Sequence, residues 1–529
     1  MPRPGFVLDV DRSTPPMLFW RGEGFSLEKL PADRSRVIYP AEPLPGLDDV
    51  DGHIRDALLN PHDMDPLPAL LRPDMKLTIC FDDASLSLPK MRRPDIRQRI
   101  IEAVLDLAAA AGVDDIHIIA ALGLHRRMHD YELRHVLGDR VFDAFEPRGM
   151  LYQHDAEDAD NLAVLGETDR GEVLEINKRV ADSDLVVYAN VNQVAMDGGW
   201  KSITTGFASY RCLANHHTPE HLQQTKSLMG HRDHSALHKS IWRLGKVLRD
   251  HGPQIFQVET TINNNAFPDT FGFLNKREWE WTAKDRALFL GTSKSLTRLP
   301  NGTKRKIFHS IEAPYELTSV QAGFTPSVHE ITLEHVYAQH LVPVEGQTDI
   351  LTMGIPFICP YNPEGTMNPI LVMCMGLGYM FNMYRGKPLV REGGVIIMTH
   401  PTYREFNPVH HPSYIDFFDE VLADTTDPAE MAAKYEQKYA EDEWYRHLYR
   451  TGNAYHGVHP FYAWYWGAHG QQWAGRVIVV GGDAPTVRRL GFTPATTMDD
   501  AFEIASDVVG RSPTITHLHV PSVLVADVT

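Results

Sequence analysis

Apolar runs of strand length alternate along this chain with longer segments of helical periodicity. That alternation predicts an α/β protein of two domains, each a mainly parallel sheet flanked by helices, with a cleft between them. Length supports the division, because 529 residues exceed what one hydrophobic core ordinarily serves. Composition agrees, with 43% hydrophobic and 23% charged residues, the balance of a globular chain.

The first seventy or so residues are rich in proline and aspartate and weakly periodic. They read as an extension, 1–74, that wraps onto a core. "MKLTICFDD" (75–83) is an apolar run ending in two carboxylates, which suits a buried strand entering a loop. "PDIRQRIIEAVLDLAAAAG" (94–112) has helical apolar spacing, a proline near its start and a glycine at its end. "DIHIIAALG" (115–123), "DLVVYANVN" (184–192) and "QIFQVETTIN" (254–263) are further buried strands. An N-terminal α/β domain over 1–290, the expected cofactor-binding domain, follows, then a hinge or connection over 291–345, where prolines and "NGTKRK" interrupt the pattern.

The alternation resumes in a C-terminal domain, 346–529. "TDILTMGIPF" (348–357), "GGVIIMTH" (393–400) and "RVIVVGG" (476–482) are strands. "NPILVMCMGLGYMFNMYRG" (368–386) is an apolar helix and "PAEMAAKYEQKYAEDEWYRHLYR" (428–450) a polar one. A helix at 497–510 and a strand segment at 516–528 close the chain.

A formal charge of −18 argues against a nucleic-acid partner, which demands a basic surplus. No apolar run reaches bilayer length and no signal peptide opens the chain, so the expected location is the cytoplasm, with no membrane partner. The four cysteines form no C-x-x-C pair, which signals neither a zinc knuckle nor a disulfide framework. The 27 histidines include no H-E-x-x-H motif, so a zinc hydrolase lacks support. "HRDHSALH" (231–238) reads as the solvated face of a polar helix. A homo-oligomer is compatible with the sequence and not specified by it.

Ligands of open parallel sheets bind outside the carboxyl ends of the strands. Polar groups collect there: Asp82 and Asp83; Gly123 and His125; His154 and Asp155; and "GGWKSITTGFASYRCLANHH" (198–217). An aspartate after a strand is also a common turn former or helix cap. A glycine before a histidine lets backbone approach a ligand. Lys201, on a glycine turn, and the pair His216–His217 suit a phosphate cradle, a metal site or a tethered cofactor.

Taken together these stretches resemble the nickel-dependent lactate racemases and their homologues. The matching segments are "DASLSLP" (83–89), "GLHR" (123–126), "HD" (154–155), "GGWKSITTGFASY" (198–210) and "NHH" (215–217), with "GGVIIM" (393–398) and the terminal helix and strand in the second half. The resemblance implies an isomerase, a racemase or epimerase of a 2-hydroxy acid or related hydroxy compound. It implies a nickel-pincer nucleotide as cofactor: nickel pyridinium-3,5-bisthiocarboxylic acid mononucleotide. Lys201 would tether it covalently, and His217 would ligate nickel, with His216 the alternative. A sulfur- and carbon-donor plane completed by one imidazole suits nickel(II). Asp83, Ser85, Gly123, His125, His154, Asp155, Gly198 and Gly199 would line the cofactor site. His125 would be the general acid/base, a task that suits imidazole.

The chain also departs from that pattern. The family's second catalytic histidine falls on Val191, its carboxylate-gripping arginine on Leu86, and its C-terminal glutamine and lysine near Leu371 and Cys374. The substrate side therefore looks rebuilt for a less charged or bulkier compound. Arg126, Trp464, Trp466 and His469 are the candidate replacements, with aromatic core packing the competing reading of the run 455–473. A redox enzyme, or a non-catalytic binder of the same cofactor, stays open beside the racemase.

Overall fold

The computed structural model describes residues 2–227, 235–519 and 523–529. The first four residues of "HRDHSALH" fall outside these ranges, and the helix Ala236–His251 begins just beyond them.

The N-terminal half is built on a six-stranded sheet in the order Leu317–Gly323, Gln254–Ile262, Leu185–Asn192, Lys76–Asp82, Asp115–Ala121, Leu151–Gln153. All neighbours are parallel except Leu317–Gly323, which runs antiparallel at the edge. The chain lays strands outward from Lys76–Asp82 to Leu151–Gln153. It then crosses to the other side for Leu185–Asn192 and Gln254–Ile262. The switch point lies between Lys76–Asp82 and Leu185–Asn192, where a crevice opens at the carboxyl ends. Leu185–Asn192 is buried along its whole length, which explains its unbroken apolar reading. Alternate residues still serve different faces: Val187, Ala189 and Val191 pack into the core on one side, while Tyr188 and Asn190 face the crevice.

The helix Ile96–Ala110 starts where the sequence suggests. The Asp95 carboxylate accepts from the Arg97 amide at 2.9 Å and caps it. Arg97 turns back, fully buried against Asp95, and its guanidinium donates to the Asp82 and Asp83 carbonyls at 2.9 and 2.8 Å. One helix start thus fixes the loop that leaves the central strand.

The second sheet has nine strands, with Thr348–Pro356, Val390–Thr399 and Arg476–Val480 at its centre. Residues 6–39 belong to it. Ser35–Tyr39 pairs in parallel with Ile515–Leu518, and Phe6–Asp9 lies antiparallel outside it. The extension therefore wraps by supplying strands to the distant half of the chain. The segment expected as a hinge holds the helices Ala283–Leu296 and Asn301–His309, the edge strand Leu317–Gly323 and the helix Thr325–His340. The edge strand pairs antiparallel with Gln254–Ile262, the strand before it in the chain, and a second strand, Leu341–Val344, closes the segment.

Two helices differ from expectation. The apolar segment at 368–386 is α-helical only over Pro369–Met373, widens into a π-helix over Cys374–Met380, and ends in the strand Tyr384–Gly386. Gly376 and Gly378 lie in the widened turns, and such turns re-aim side chains. The polar segment at 428–450 breaks at Asp442, whose carboxylate caps a new helix, Glu443–Thr451. No described helix is long and apolar enough to cross a membrane.

Candidate active site

A cavity of about 1120 Å³, counting its open mouth, lies between the strand ends of the first sheet and the helix His459–Trp473 of the second half. Its N-terminal wall holds Asp82, Asp83, Ser85, Gly123, His125, Gly198, Lys201 and His217.

Asp82 ends the central strand. Its carboxylate accepts from Asn190 Nδ2 and the Val191 amide, both at 2.7 Å, and from the Tyr188 hydroxyl at 3.1 Å. Burial pushes its pKa up to about 7 despite these bonds. Asp83 faces His125: its Oδ2 lies 2.8 Å from the imidazole Nδ1. Its Oδ1 accepts from the Ser85 amide at 3.0 Å and from the Ser85 hydroxyl. Burial acts to raise the Asp83 value; the His125 ring and Ser85 outweigh it and hold it below the ordinary carboxylate range. The pairing assigns the Nδ1–H tautomer to His125 and leaves Nε2 for the cavity. Gly123 makes this placement feasible. Its φ of 54° is left-handed, and a Cβ there would stand 2.9 Å from the Thr205 carbonyl oxygen.

Gly198 and Gly199 both have positive φ, 81° and 60°. The chain turns there over the buried Glu259, whose Oε1 accepts the Gly199 amide at 2.6 Å and whose Oε2 meets His329 Nδ1 at 3.1 Å. That turn launches the short helix Lys201–Thr204. Lys201 Nζ stands 3.9 Å from Asp197 Oδ1, and burial raises the Asp197 pKa. The Ser209-capped helix Tyr210–Ala214 then delivers the histidine pair. The two rings have different fates. His217 lines the cavity, its Nδ1 held by the Leu213 carbonyl at 3.2 Å and its ring stacked on Tyr462 and Trp466. Burial lowers its pKa to about 4, so at neutral pH it is an unprotonated imidazole whose bare Nε2 offers a lone pair. His216 is turned into the interior, with both ring nitrogens buried and unpartnered.

Not every expected site residue reaches this cavity. His154 is buried behind it, with Nε2 bonded to the Ala208 carbonyl at 2.9 Å. Asp155 forms a surface ion pair with Arg450 at 2.8 Å. Gly199 underlies the turn against Glu259 instead of the cavity wall. Arg126 is spent in a buried pair with Glu132 at 2.6 Å. Trp464 is wholly buried, donating to the Thr426 carbonyl at 3.1 Å. His469 is also interior, 3.2 Å from the Tyr384 hydroxyl. Leu86 lines the cavity, whereas Leu371 and Cys374 are core. Val191 points to the opposite face of its sheet, so that position supplies the cavity with nothing.

The C-terminal wall comprises Pro360, Tyr361, Tyr379, His459, Tyr462, Ala463 and Trp466. The Tyr361 and Tyr379 hydroxyls bond each other at 2.6 Å. Sequence reading singled out Trp466 and missed the rest. A signal was available: 459, 462, 463 and 466 follow the i, i+3, i+4, i+7 pattern of one helix face, while 464 lies off it and 469, on the same stripe, lies one turn past the cavity. Lys201 is the sole permanently cationic side chain among the lining residues.

Among the described residues no three His, Cys, Asp or Glu side chains converge to hold a bare metal ion. An ion at His217 therefore needs donors brought by a bound molecule. One unprotonated imidazole beside one amine fits a metal carried by a tethered organic ligand.

Residues 22–230 match the lactate racemase N-terminal domain. The chain is 26% identical over 192 residues to the lactate racemase of Lactiplantibacillus plantarum, covering 36% of this chain and 43% of that protein. It is 25% identical over 131 residues to the lactate racemase of Thermoanaerobacterium thermosaccharolyticum, covering 24% and 30% respectively. These sequence matches thus span less than half of either curated relative. In fold the likeness extends further. The lactate racemase apoprotein from T. thermosaccharolyticum superposes with a TM-score of 0.63 at 17% identity, over 97% of this chain and 99% of that one. A protein from Thermotoga maritima superposes with a TM-score of 0.52 at 13% identity, over 93% and 100%.

Proposed function

We propose that this chain, which belongs to the lactate racemase family through its residues 22–230, is an isomerase that inverts the hydroxyl-bearing carbon of a 2-hydroxy acid or related hydroxy compound. The carrying observation is the convergence of Lys201, His217 and His125 on one cavity wall. Each of the two imidazoles lines the cavity and has Nδ1 anchored by an oxygen, which leaves Nε2 as the nitrogen free to act.

The nickel-pincer nucleotide fits this wall, with Lys201 as its tether and His217 as its protein ligand; when bound it supplies reversible removal of the carbon-bound hydrogen with its electron pair. The remaining tasks fall to side chains of this chain. His125 Nε2 accepts the substrate hydroxyl proton, and Asp83 steadies the imidazolium that results. Asp83 also fixes the ring so that no tautomer change precedes transfer. Tyr361, Tyr379 and Trp466 cover the cavity from the other side and exclude water.

Substrate class follows from the lining. With Lys201 tied to the cofactor, no guanidinium or ammonium remains among the lining residues to clamp a carboxylate. The Tyr361–Tyr379 hydroxyl pair and the indole of Trp466 offer hydrogen bonds and apolar faces instead. A hydroxy compound with an apolar or aromatic flank fits better than lactate.

The test uses protein purified from a host that makes the cofactor. Single enantiomers of a hydroxy-compound panel, from lactate to aryl-bearing members, are followed by chiral chromatography. Expected is conversion of at least one aryl-bearing member to its mirror image without accumulation of the 2-oxo form. Accumulating 2-oxo product would replace the isomerase by a redox enzyme, and no change in any member would leave only a cofactor binder.

A further inference from the structure

We infer that His459 is a second proton-transferring catalytic residue of this site, working opposite His125; this rests on the isomerase reading above. His459 opens the helix that forms the C-terminal cavity wall. Its ring centroid stands 5.6 Å from that of His125, with the planes at 74°. Tyr361 and Tyr455 pack on it at 4.6 and 4.5 Å and fix its orientation. Its Nδ1 is bonded to the Tyr414 hydroxyl at 2.6 Å. No hydrogen bond engages its Nε2 among the described residues, and the residue lines the cavity although only 5% exposed. The arrangement repeats that of His125, with a different anchor.

The difference in anchor has chemical content. A carboxylate only accepts, so Asp83 holds His125 in one tautomer. A tyrosine hydroxyl both donates and accepts, so Tyr414 serves His459 whether its Nε2 is bare or protonated. A ring held this way is suited to taking a proton in one direction of turnover and giving it in the other.

A second ring on the opposite wall serves inversion at a hydroxyl-bearing carbon. In the outward half the hydroxyl oxygen gives its proton to one imidazole, and in the return half it takes a proton from the other. A bound nickel-pincer nucleotide would supply the acceptor, and then the source, of the carbon-bound hydrogen and its electron pair. Solvent re-equilibrates the two rings between turnovers. Val191 cannot take this part: a valine side chain carries no transferable proton, and this one packs into the core on the far face of the sheet. His459 reaches the same cavity from the other half of the molecule.

Two measurements test the assignment. The first needs no activity: apoprotein is treated with diethyl pyrocarbonate and the modified histidines are mapped by peptide mass. Expected is modification of both His125 and His459, which line the cavity, with His154, which does not, untouched. An unmodified His459 under conditions that modify His125 would overturn the assignment. The second uses cofactor-loaded wild type, His459→Gln, His459→Ala and Tyr414→Phe. His459→Gln is expected to keep nickel and the mass addition on Lys201 and to lose inversion by about 10²-fold or more. Added imidazole is expected to restore part of the rate to His459→Ala, which a merely structural role would not allow, and Tyr414→Phe to fall between. Wild-type inversion with an equally active His459→Gln would sink this inference and leave the isomerase reading standing. Wild type without Lys201 modification or inversion would sink both.

Discussion

The two walls of the cavity are made of different chemistry. The N-terminal wall is polar and charged, set on strand ends and glycine turns: Asp83, His125, Lys201, His217. The C-terminal wall is aromatic, set on one helix, a π-helical turn and the loop after the strand Thr348–Pro356: Tyr361, Tyr379, Tyr462, Trp466, with His459 at its edge. The match to the lactate racemase N-terminal domain covers every group of the first wall and none of the second. Under the proposed function the first wall would hold the cofactor, through an amine and a ligand at fixed positions, and the second would choose the substrate by shape and hydrogen bonds.

That contrast is most easily broken at Lys201. Lys201→Ala should abolish cofactor retention, read as loss of nickel from protein purified in the cofactor-producing host; stoichiometric nickel in the variant would remove the tether. His125→Ala should leave loading intact and slow turnover by about 10²–10⁴-fold, so a variant with wild-type turnover would dismiss the acid/base role. On the other wall, Tyr379→Phe should leave nickel untouched and raise KM by roughly 10-fold, the cost of one lost polar contact at the substrate. If this variant loses nickel instead, the two walls are not separable. Smallest of all, Asp155→Asn should change neither loading nor turnover and lower stability by less than about 1 kcal/mol in urea unfolding, because its pair with Arg450 is at the surface.

Much of the first wall was legible in the sequence because its signals are local. A strand ending in two aspartates, a glycine before a histidine and a glycine turn before a lysine each declare a strand-end loop within a few residues. The choice between His216 and His217 was not legible. Adjacent helix-end residues point in different directions, and the phase is set by the Leu213 carbonyl and the rings of Tyr462 and Trp466. Arg126 misled for a similar reason: its charge is consumed by Glu132, six residues on, a pairing that only the folded turn reveals. The role of residues 6–39 as strands of the second sheet depends on a partner near residue 515, beyond the reach of any local pattern. His459 lay inside a run already recognised as aromatic and histidine-rich. Trp464 drew notice through a miss of helical phase and His469, on the right stripe, through a miss of reach, since the cavity ends with the turn that carries Trp466.

The central claim is that the Lys201 amine is bonded to the organic ligand whose metal His217 completes. Peptide mass mapping of wild-type protein from a cofactor-producing host tests it directly, alongside nickel analysis of the same sample. The account predicts a mass addition confined to the Lys201 peptide and nickel in matching amount. An unmodified Lys201 in protein that nonetheless inverts its substrate would contradict it.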